Sequence, residues 1–189
     1  MTDLVIGADG KARCPWGSSP DYLDYHDAEW GQPLRGDDHL YERMTLEAFQ
    51  SGLSWLTILR KRENFRKAFG RFKIKTIAAY DDSDVARLMA DTGIVRNRQK
   101  VDAAISNARA ALSVEGGLSK LLWSYAPPPR PHRPRSGAEV PATTPESTAM
   151  AKDLKKRGFR FVGPTTAYAL MQATGMVDDH LEGCHVPPH

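Results

Sequence analysis

Helix start and stop signals punctuate nearly the whole chain, and no stretch alternates apolar and polar residues with the period of two that strands require. Capping residues precede several apolar runs of helical spacing, and glycines follow several of them. In the first half of the chain the signals predict a helix from Ser19-Pro20 to Gly31 and helices that begin at Asp37-Asp38 and at Ser54. A further helix covers Val85–Ala90, breaks at Gly93 and continues from Asn97. In the last part of the chain, helices run from Thr144-Pro145 to Arg157 and from Pro164 to about Ala173. We therefore predict an all-α fold without a substantial sheet.

Length and composition are typical of one globular domain. The 189 residues are 41% hydrophobic and 26% charged, which excludes a collagen-like fibre, a disulfide scaffold and a mainly disordered chain. The apolar runs are too short to cross a bilayer, so we expect no membrane partner. The first residues lack the hydrophobic stretch of a signal peptide, and we expect a cytoplasmic protein.

The chain divides into one domain with short ends. We expect flexible tails over residues 1–12 and 186–189, and a single α-helical domain over 13–185. Within it, residues 127–143 should form an extended connection, because the prolines of Pro127–Pro134 fix φ and remove amide donors. The alternative for this segment is a proline-rich ligand. No other feature indicates a protein partner, and we expect a monomer.

Basic residues are clustered although the formal net charge is only +3. Eight lysines and arginines stand between Arg60 and Lys75 against a single acid, and five stand between Lys152 and Arg160, with Asp153 opposing. Such clusters suit the neutralisation of nucleic-acid phosphates. The alternative is a solvated helix face whose charges are balanced by acids nearby in space.

Two segments have the pattern of helix–hairpin–helix units. The stronger, Leu154–Ala173, joins a basic helix to a second helix through Gly158 and Gly163. Free amides at the start of the second helix, where Thr165 stands, favour an anion such as a DNA phosphate. Asp91–Arg98 resembles a second, weaker hairpin. The alternative is that both are helix corners that only pack.

Cysteine and histidine occur in two pairs at opposite ends of the chain. Cys14 is followed by His26, and His180 precedes Cys184 at an i, i+4 spacing. Two thiolates and two imidazoles form a complete tetrahedral ligand set for zinc, which would join the termini. The alternatives are buried free thiols with satisfied core histidines, or a disulfide, which a reducing compartment disfavours.

Glu47 stands on the apolar stripe of the helix that opens at Asp37-Asp38, three residues after Met44. Burial of a carboxylate is costly without a partner, so Glu47 is a candidate for a ligand-facing group. The alternative is a surface glutamate at the edge of the stripe. Many of the chain's aromatic residues surround it in sequence, as candidate pocket or core residues: Trp16, Tyr22, Tyr25 and Trp55.

These residues resemble the 3-methyladenine DNA glycosylase I family of the helix–hairpin–helix glycosylase superfamily. The matching motifs occur in family order over nearly the whole chain. They are Cys14–Trp16, Asp21–Gly31, Leu46–Trp55, Leu59–Asn64, Gly93–Arg98, Lys155–Gly163 and Asp179–Cys184. The resemblance implies a helix–hairpin–helix glycosylase fold with a structural zinc site that joins the N- and C-terminal segments.

The resemblance also implies roles for individual residues. Glu47 matches the glutamate that hydrogen-bonds the extruded base, and Gly52-Leu53 matches the loop that fills the gap left in the duplex. Four residues match the aromatic positions around the base: Trp16, Tyr22, Tyr25 and Trp55. Four residues match the zinc ligands: Cys14, His26, His180 and Cys184. Gly163 and Thr165 lie in the hairpin that binds DNA.

The implied activity is base-excision repair of alkylated double-stranded DNA. An adenine methylated at N3 is cationic, so its glycosidic bond is already weak, and the enzyme flips the base into an aromatic pocket. Hydrolysis then leaves an abasic site. No lysine nucleophile is supported by the family match, so we expect a monofunctional enzyme without strand cleavage.

One position departs from the family. Asp178 stands where the family typically has asparagine, and we expect it to be a solvent-exposed residue before a zinc ligand. The alternative is that it stabilises the oxocarbenium ion. Two other functions remain open from the residues: a DNA-binding module without chemistry, and a zinc hydrolase in which Glu29 acts as the base.

Overall fold

The computed structural model describes residues 3–189. Helices dominate this part of the chain, as predicted, and none of them is long and apolar enough to span a membrane. The two strands are β1 (Val5–Ile6) and β2 (Ala12–Arg13), and the helices are α1 (Leu23–Ala28), α2 (Asp37–Gln50), α3 (Trp55–Ala68), α4 (Ile74–Ala78), α5 (Asp82–Ala90), α6 (Arg98–Leu112), α7 (Leu118–Trp123), α8 (Pro145–Lys156) and α9 (Pro164–Ala173). Single 3₁₀ turns lie at Pro15–Gly17, Gly70–Phe72 and Gly137–Glu139.

Several helix starts carry the caps that the sequence predicts. Ser54 and Asn97 each accept a hydrogen bond from the backbone N–H three residues further on, at the starts of α3 and α6. Thr144 and Ser147 form a reciprocal capping box at the start of α8. Each cap satisfies an amide that has no partner inside its helix and contributes about 1 kcal/mol. These boundaries are therefore determined locally.

The start of the first helix differs from the prediction. Helix α1 begins at Leu23, three residues after Pro20. The intervening residues form a turn in which the Tyr22 amide donates to the Ser19 carbonyl. No side chain caps the start of α1. The serine–proline signal therefore marks a turn here instead of the first helical turn.

Helix α2 lies at the centre of the fold and contacts α3, α4, α6, α7 and α9. Its large apolar side chains have no exposed surface: Leu40, Tyr41, Met44, Leu46 and Phe49. They belong to one continuous hydrophobic core that extends from α2 to the residues after α9. A polar side chain on such a helix must face either a partner or an internal cavity, because burial without either is costly.

The sequence predicts flexible tails over residues 1–12 and 186–189, and in the structure residues near the two ends of the chain lie against each other. The first two residues lie outside the described part of the chain. The strands β1 and β2 pair antiparallel, and the His185 amide donates to the Ala12 carbonyl. Val186 is buried in a small cluster formed by both ends. Strands of two residues carry no readable periodicity, so the sequence could not predict them.

The proline-rich segment Pro127–Pro134 contains neither helix nor strand and lies against the C-terminal part of the chain. Arg130 forms an ion pair of 2.6 Å with Asp179. Arg133 forms one of 2.7 Å with Asp178. The segment is thus held to the residues that follow α9 by two salt bridges.

Candidate functional site

An aromatic cavity of about 260 Å³ lies between the N-terminal segment and helices α1, α2, α3 and α9. The structure brings all five predicted pocket residues to its wall: Trp16, Tyr22, Tyr25, Glu47 and Trp55. The volume is slightly below the roughly 300–1,000 Å³ of pockets for drug-sized ligands. The cavity therefore suits a small ring system.

Four further residues line the cavity that the sequence did not single out: Trp30, Gln50, Ala169 and Gln172. Trp30 stands four residues after His26 in the aromatic-rich segment, a signal that could have included it. Gln172 has no such signal, because only the tertiary fold brings α9 to the N-terminal segment. Its amide nitrogen donates to Asp179 Oδ2 at 2.9 Å, which fixes the side chain.

The aromatic rings of the cavity support one another. Tyr25 and Trp55 have ring centroids 5.4 Å apart and are tilted by 42°. Trp16 meets Trp30 edge-on at 4.8 Å and Tyr22 edge-on at 5.8 Å. Edge-on and tilted contacts of this kind are favourable and hold the rings in place. Electron-rich faces around a small cavity are suited to a flat cationic ligand.

Glu47 is the carboxylate of the cavity. It is only 6% exposed, and no hydrogen bond to it is present among the described residues. Burial raises the pKa of Glu47 to about 7, and the nearby charge of Arg43 opposes this shift. A buried carboxylate without a protein partner is satisfied by a ligand that donates hydrogen bonds or carries positive charge.

Beside the cavity, Glu29 binds two arginines. Arg62 donates hydrogen bonds of 2.6 and 2.8 Å to its two oxygens, and Arg43 donates one of 2.6 Å. Burial raises the pKa of Glu29, but these hydrogen bonds and charges outweigh it and lower the pKa to about 2. Glu29 is therefore a firmly paired anion, which argues against the zinc-hydrolase hypothesis that needs it as a base.

A second cluster lies next to Trp16 and contains the predicted metal-ligating residues. Ligand atoms of Cys14, His26 and Cys184 lie within 4.8 Å of one another, and all three residues are buried. His180 meets His26 edge-on at 5.1 Å between ring centroids. Its Nε2 is buried and has no hydrogen-bond partner among the described residues. The two thiols and two imidazoles, one of which has an unpartnered ring nitrogen, are the donor set of a tetrahedral zinc site.

Carboxylates orient both imidazoles of this cluster. Asp27 Oδ1 lies 2.8 Å from His26 Nδ1, and Asp178 Oδ1 lies 2.9 Å from His180 Nδ1. Nε2 is therefore the ring nitrogen left for another partner, and that of His26 lies 3.7 Å from Cys184 Sγ. Metal-binding histidines commonly have such a carboxylate behind them.

Asp178 is not the solvent-exposed residue that the sequence predicts. Its side chain is only 19% exposed, and Arg133 pairs with it at 2.7 Å. Burial raises the pKa of Asp178, but hydrogen bonds from His180 and Arg133 outweigh it and lower the pKa to about 2. Asp178 is also not among the residues that line the aromatic cavity. Its geometry indicates a role in orienting His180.

Two glycines allow the imidazoles to lie this close to the backbone. A Cβ on Gly17 would lie 2.2 Å from His26 Cδ2, and one on Gly31 would lie 2.6 Å from His180 Cε1. Gly31 also has a φ of +79°, which disfavours other residues. Glycine is therefore required at both positions by the histidines that pack on them.

Helices α8 and α9 are joined by a short turn through the two glycines that the sequence singles out, Gly158 and Gly163. Helix α8 ends at Lys156, and Gly158 adopts a φ of +90° after the C-cap residue Arg157. Gly163 precedes α9 without any side-chain cap, and Thr165 is exposed in its first turn. The first amides of α9 are thus available to an anion from outside.

The loop between α2 and α3 projects an apolar side chain into solvent. Leu53 is 41% exposed, and Gly52 before it has a φ of +80°. Lys100 of α6 donates to the carbonyls of Phe49 and Ser51 at 2.9 and 2.5 Å. The base of the loop is therefore held in place while its tip remains exposed.

The two basic clusters differ in the structure. In the first, four cations pair with carboxylates, which favours the balanced helix face: Arg60 with Asp21, Arg62 with Glu29, Arg66 with Glu42, and Lys73 with Asp38. In the second, Arg157 pairs with Asp153, and no other ion pair occurs among its described residues. Four cations of each cluster form no ion pair among the described residues, and those of the second cluster lie beside the hairpin: Lys61, Lys67, Arg71 and Lys75 in the first, and Lys152, Lys155, Lys156 and Arg160 in the second.

Comparison with known proteins gives consistent matches. The family model described as Methyladenine glycosylase matches residues 16–187. The chain is similar to the protein named DNA-3-methyladenine glycosylase 1 from Escherichia coli (strain K12), with 45% identity over 177 residues, 91% of this chain and 95% of the relative. It is 44% identical over 181 residues to DNA-3-methyladenine glycosylase from Haemophilus influenzae, covering 91% of this chain and 96% of the relative.

A solved structure has the same fold. It is that of 3-methyladenine DNA glycosylase I from Staphylococcus aureus, described as the structural basis of 3-methyladenine recognition. The two share 38% sequence identity, the TM-score is 0.88, and the match covers 94% of this chain and 97% of the other. The family resemblance expected from the sequence motifs is confirmed. With a family model that spans most of its length and two relatives above 40% identity, this chain belongs to the methyladenine glycosylase family.

Proposed function

We propose that this protein is a DNA-3-methyladenine glycosylase that hydrolyses the N-glycosidic bond of 3-methyladenine in double-stranded alkylated DNA and leaves an abasic site. Family membership and the names of the relatives support the activity. The observation that carries the proposal is the buried carboxylate of Glu47, which faces an aromatic cavity without a protein partner.

The cavity selects the damaged base by charge. Adenine methylated at N3 is a cation while attached to its sugar, so aromatic faces and the Glu47 carboxylate attract it. Undamaged adenine is neutral and gains less from the same contacts. Because the glycosidic bond of the cation is already weak, stabilising the charged base in place supplies most of what the reaction needs. Water then attacks C1′ of the sugar.

The base reaches the cavity by flipping out of the duplex, since the Glu47 carboxylate is buried in the cavity wall, where a base stacked in a duplex could not contact it. The exposed tip formed by Gly52 and Leu53 fills the gap that the flipped nucleotide leaves. Gly163 and Thr165, at the start of α9, bind backbone phosphate through free amides. The unbalanced lysines of α8 add sequence-independent attraction to the duplex.

The enzyme is monofunctional in this proposal. The residues that line the cavity include no lysine, so no amine is placed to form a covalent intermediate with the sugar. Hydrolysis therefore ends at the abasic site, without strand cleavage.

A structural zinc ion completes the proposed domain over residues 13–185. Its ligands are Cys14, His26, His180 and Cys184, and the unpartnered Nε2 of His180 supports this set. When bound, zinc supplies folding free energy by joining the two ends of the chain. The thiol and imidazole ligands fill a tetrahedral shell, so the ion leaves no open position for chemistry.

The test is release of free base from duplex DNA treated with dimethyl sulfate, resolved by chromatography. We expect 3-methyladenine to appear well above the spontaneous rate and 7-methylguanine to stay in the DNA. Glu47→Gln should lower the release, whereas Glu115→Gln, at an exposed position away from the cavity, should not. No release from folded, zinc-loaded wild-type protein would refute the enzyme and favour a DNA-binding module.

A further inference from the structure

Arg43 and Glu47 lie one helical turn apart on α2 but do not pair. Arg43 is 8% exposed, and its Nη1 is buried without a hydrogen-bond partner among the described residues. Glu47 is 6% exposed and is likewise unpartnered. Opposite charges at i, i+4 are neighbours on a helix surface, and burial strengthens their attraction. Some other contact must therefore hold the guanidinium away from the carboxylate of the cavity.

That contact is Glu29, at the end of α1. Arg43 Nη2 donates to Glu29 Oε2 at 2.6 Å. The same oxygen accepts a hydrogen bond from Arg62 of α3, also at 2.6 Å, and the other oxygen accepts a second one. The two-pronged contact with Arg62 fixes both the position and the orientation of the carboxylate. Glu29 thereby holds Arg43 from a separate, rigidly placed element.

Arg43 also lies against the outside of the cavity wall. Its guanidinium carbon is 5.6 Å from the centroid of the Tyr25 ring, and Tyr25 in turn contacts Trp55. The charge therefore acts on Glu47 at a distance, without a hydrogen bond. Its effect on the pKa of Glu47 is a lowering that burial outweighs.

We propose that Glu29 is a positioning residue, which holds Arg43 in an ion pair and so keeps the Glu47 carboxylate free to bind the cationic base. This inference rests on the proposed function. It adds to the site a second carboxylate, Glu29, which acts through Arg43 and does not touch the substrate. Without Glu29, Arg43 would be a buried cation with Glu47 one helical turn away on the same face of α2. The arginine would then occupy the oxygens that the base requires.

The other ionisable groups near the cavity leave Arg43 as the competitor. Burial raises the pKa of Tyr25, so its hydroxyl does not compete as an anion. Arg62 is bound to Glu29, Lys100 is bound to two backbone carbonyls, and Tyr168 donates to Asp179. Tyr22 and Tyr25 share the cavity with Glu47, and Arg43 is the charge that acts on its pKa. The other ionisable groups on the elements packed around it are Glu29, Arg62, Lys100, Tyr168 and Asp179.

The experiment measures kcat/KM for release of 3-methyladenine against pH for wild type, Glu29→Gln and Arg43→Met. In Glu29→Gln we expect kcat/KM to fall roughly tenfold or more, because Arg43 then occupies the Glu47 carboxylate and the base loses a hydrogen bond to a charged group. We also expect its acid limb to move down by about 1–3 pH units, since Arg43 now pairs with Glu47. In Arg43→Met the acid limb should move up, because a nearby cation is removed.

Recovery of activity in a double variant separates positioning from the other roles of Glu29. Loss of the Glu29 charge alone also lowers the pKa of Glu47, and loss of a merely structural salt bridge lowers activity, but neither effect is reversed when Arg43 is removed as well. The double variant Glu29→Gln/Arg43→Met should recover the kcat/KM of Arg43→Met alone, because the competing guanidinium is gone. Arg43→Met and the double variant also keep the test informative if Glu29→Gln alone folds poorly.

Helices α2 and α3, which carry the two arginine partners of Glu29, also carry a matched control. Glu42 of α2 pairs with Arg66 of α3 at 2.8 Å, away from the cavity. Glu42→Gln should leave both kcat/KM and its pH profile unchanged. If wild type releases base and Glu29→Gln keeps the wild-type profile, the inference is wrong and the proposed function stands. If folded wild-type protein releases no base, the proposed function is refuted, and the positioning role of Glu29 is refuted with it.

Discussion

Replacing Glu47 with glutamine should stabilise the protein at high pH and not at low pH. Burial raises the pKa of this carboxyl from 4.5 to about 7. Between these values the folded protein holds a proton that the unfolded chain has lost, so the free energy of unfolding of the wild type falls as pH rises. Glutamine has a similar shape and does not ionise, so this dependence disappears in Glu47→Gln.

The magnitude follows from the shift. Each pKa unit corresponds to about 1.4 kcal/mol, so a rise from 4.5 to about 7 costs the ionised folded state about 3 kcal/mol. The cost is small at pH 4.5 and is reached in full above pH 7. An unpartnered amide in the cavity adds a cost of its own, but that cost does not depend on pH. The pH-dependent part of the difference between the two proteins is therefore specific to Glu47.

Urea unfolding of wild type and Glu47→Gln at pH 4.5 and pH 8 measures this difference. From pH 4.5 to pH 8 we expect the free energy of unfolding of Glu47→Gln to rise by about 3 kcal/mol relative to that of the wild type. Glu115→Gln, at an exposed position, should show no such gain. A difference between wild type and Glu47→Gln that stays constant with pH would show that the carboxylate is not held in a desolvated site. The reasoning that makes Glu47 a ligand-facing group would then fail.

Other perturbations test the remaining features. Asp178→Asn should weaken zinc binding about 10–100-fold in a chelator competition, with base release unchanged at saturating zinc; lost release from the zinc-loaded variant would make Asp178 catalytic instead. Lys155→Ala with Lys156→Ala should weaken binding to any duplex and reduce the salt dependence of binding by about two ions in fluorescence anisotropy, and an unchanged slope would exclude phosphate contacts. Gly31→Ala should lower thermal stability by several degrees, because its Cβ meets His180 at 2.6 Å; an unchanged Tm would show that this contact relaxes easily.

Features set by neighbouring residues were readable from the sequence. Ser54, Asn97 and Thr144 cap helices by bonding amides three residues away, so their signals are local. Glu47 was identifiable for a similar reason, because helical spacing placed it on an apolar face. The family motifs then supplied the aromatic set, which the structure brings to one cavity.

Features that depend on distant segments were not readable. The pairing of Glu29 with Arg62 joins residues 33 positions apart, and no local pattern marks it. Gln172 reaches the cavity only because α9 packs beside α2. Asp178 was expected to be exposed, since its partner Arg133 belongs to a proline-rich segment whose course the sequence does not determine.

The meeting of the two chain ends has a consequence for synthesis. Trp16, Tyr25 and Glu47 leave the ribosome long before Gln172 and Cys184 do. The cavity thus has an open side until α9 arrives, and the cysteine–histidine cluster stays incomplete until Cys184 emerges. A chain released prematurely lacks a finished cavity.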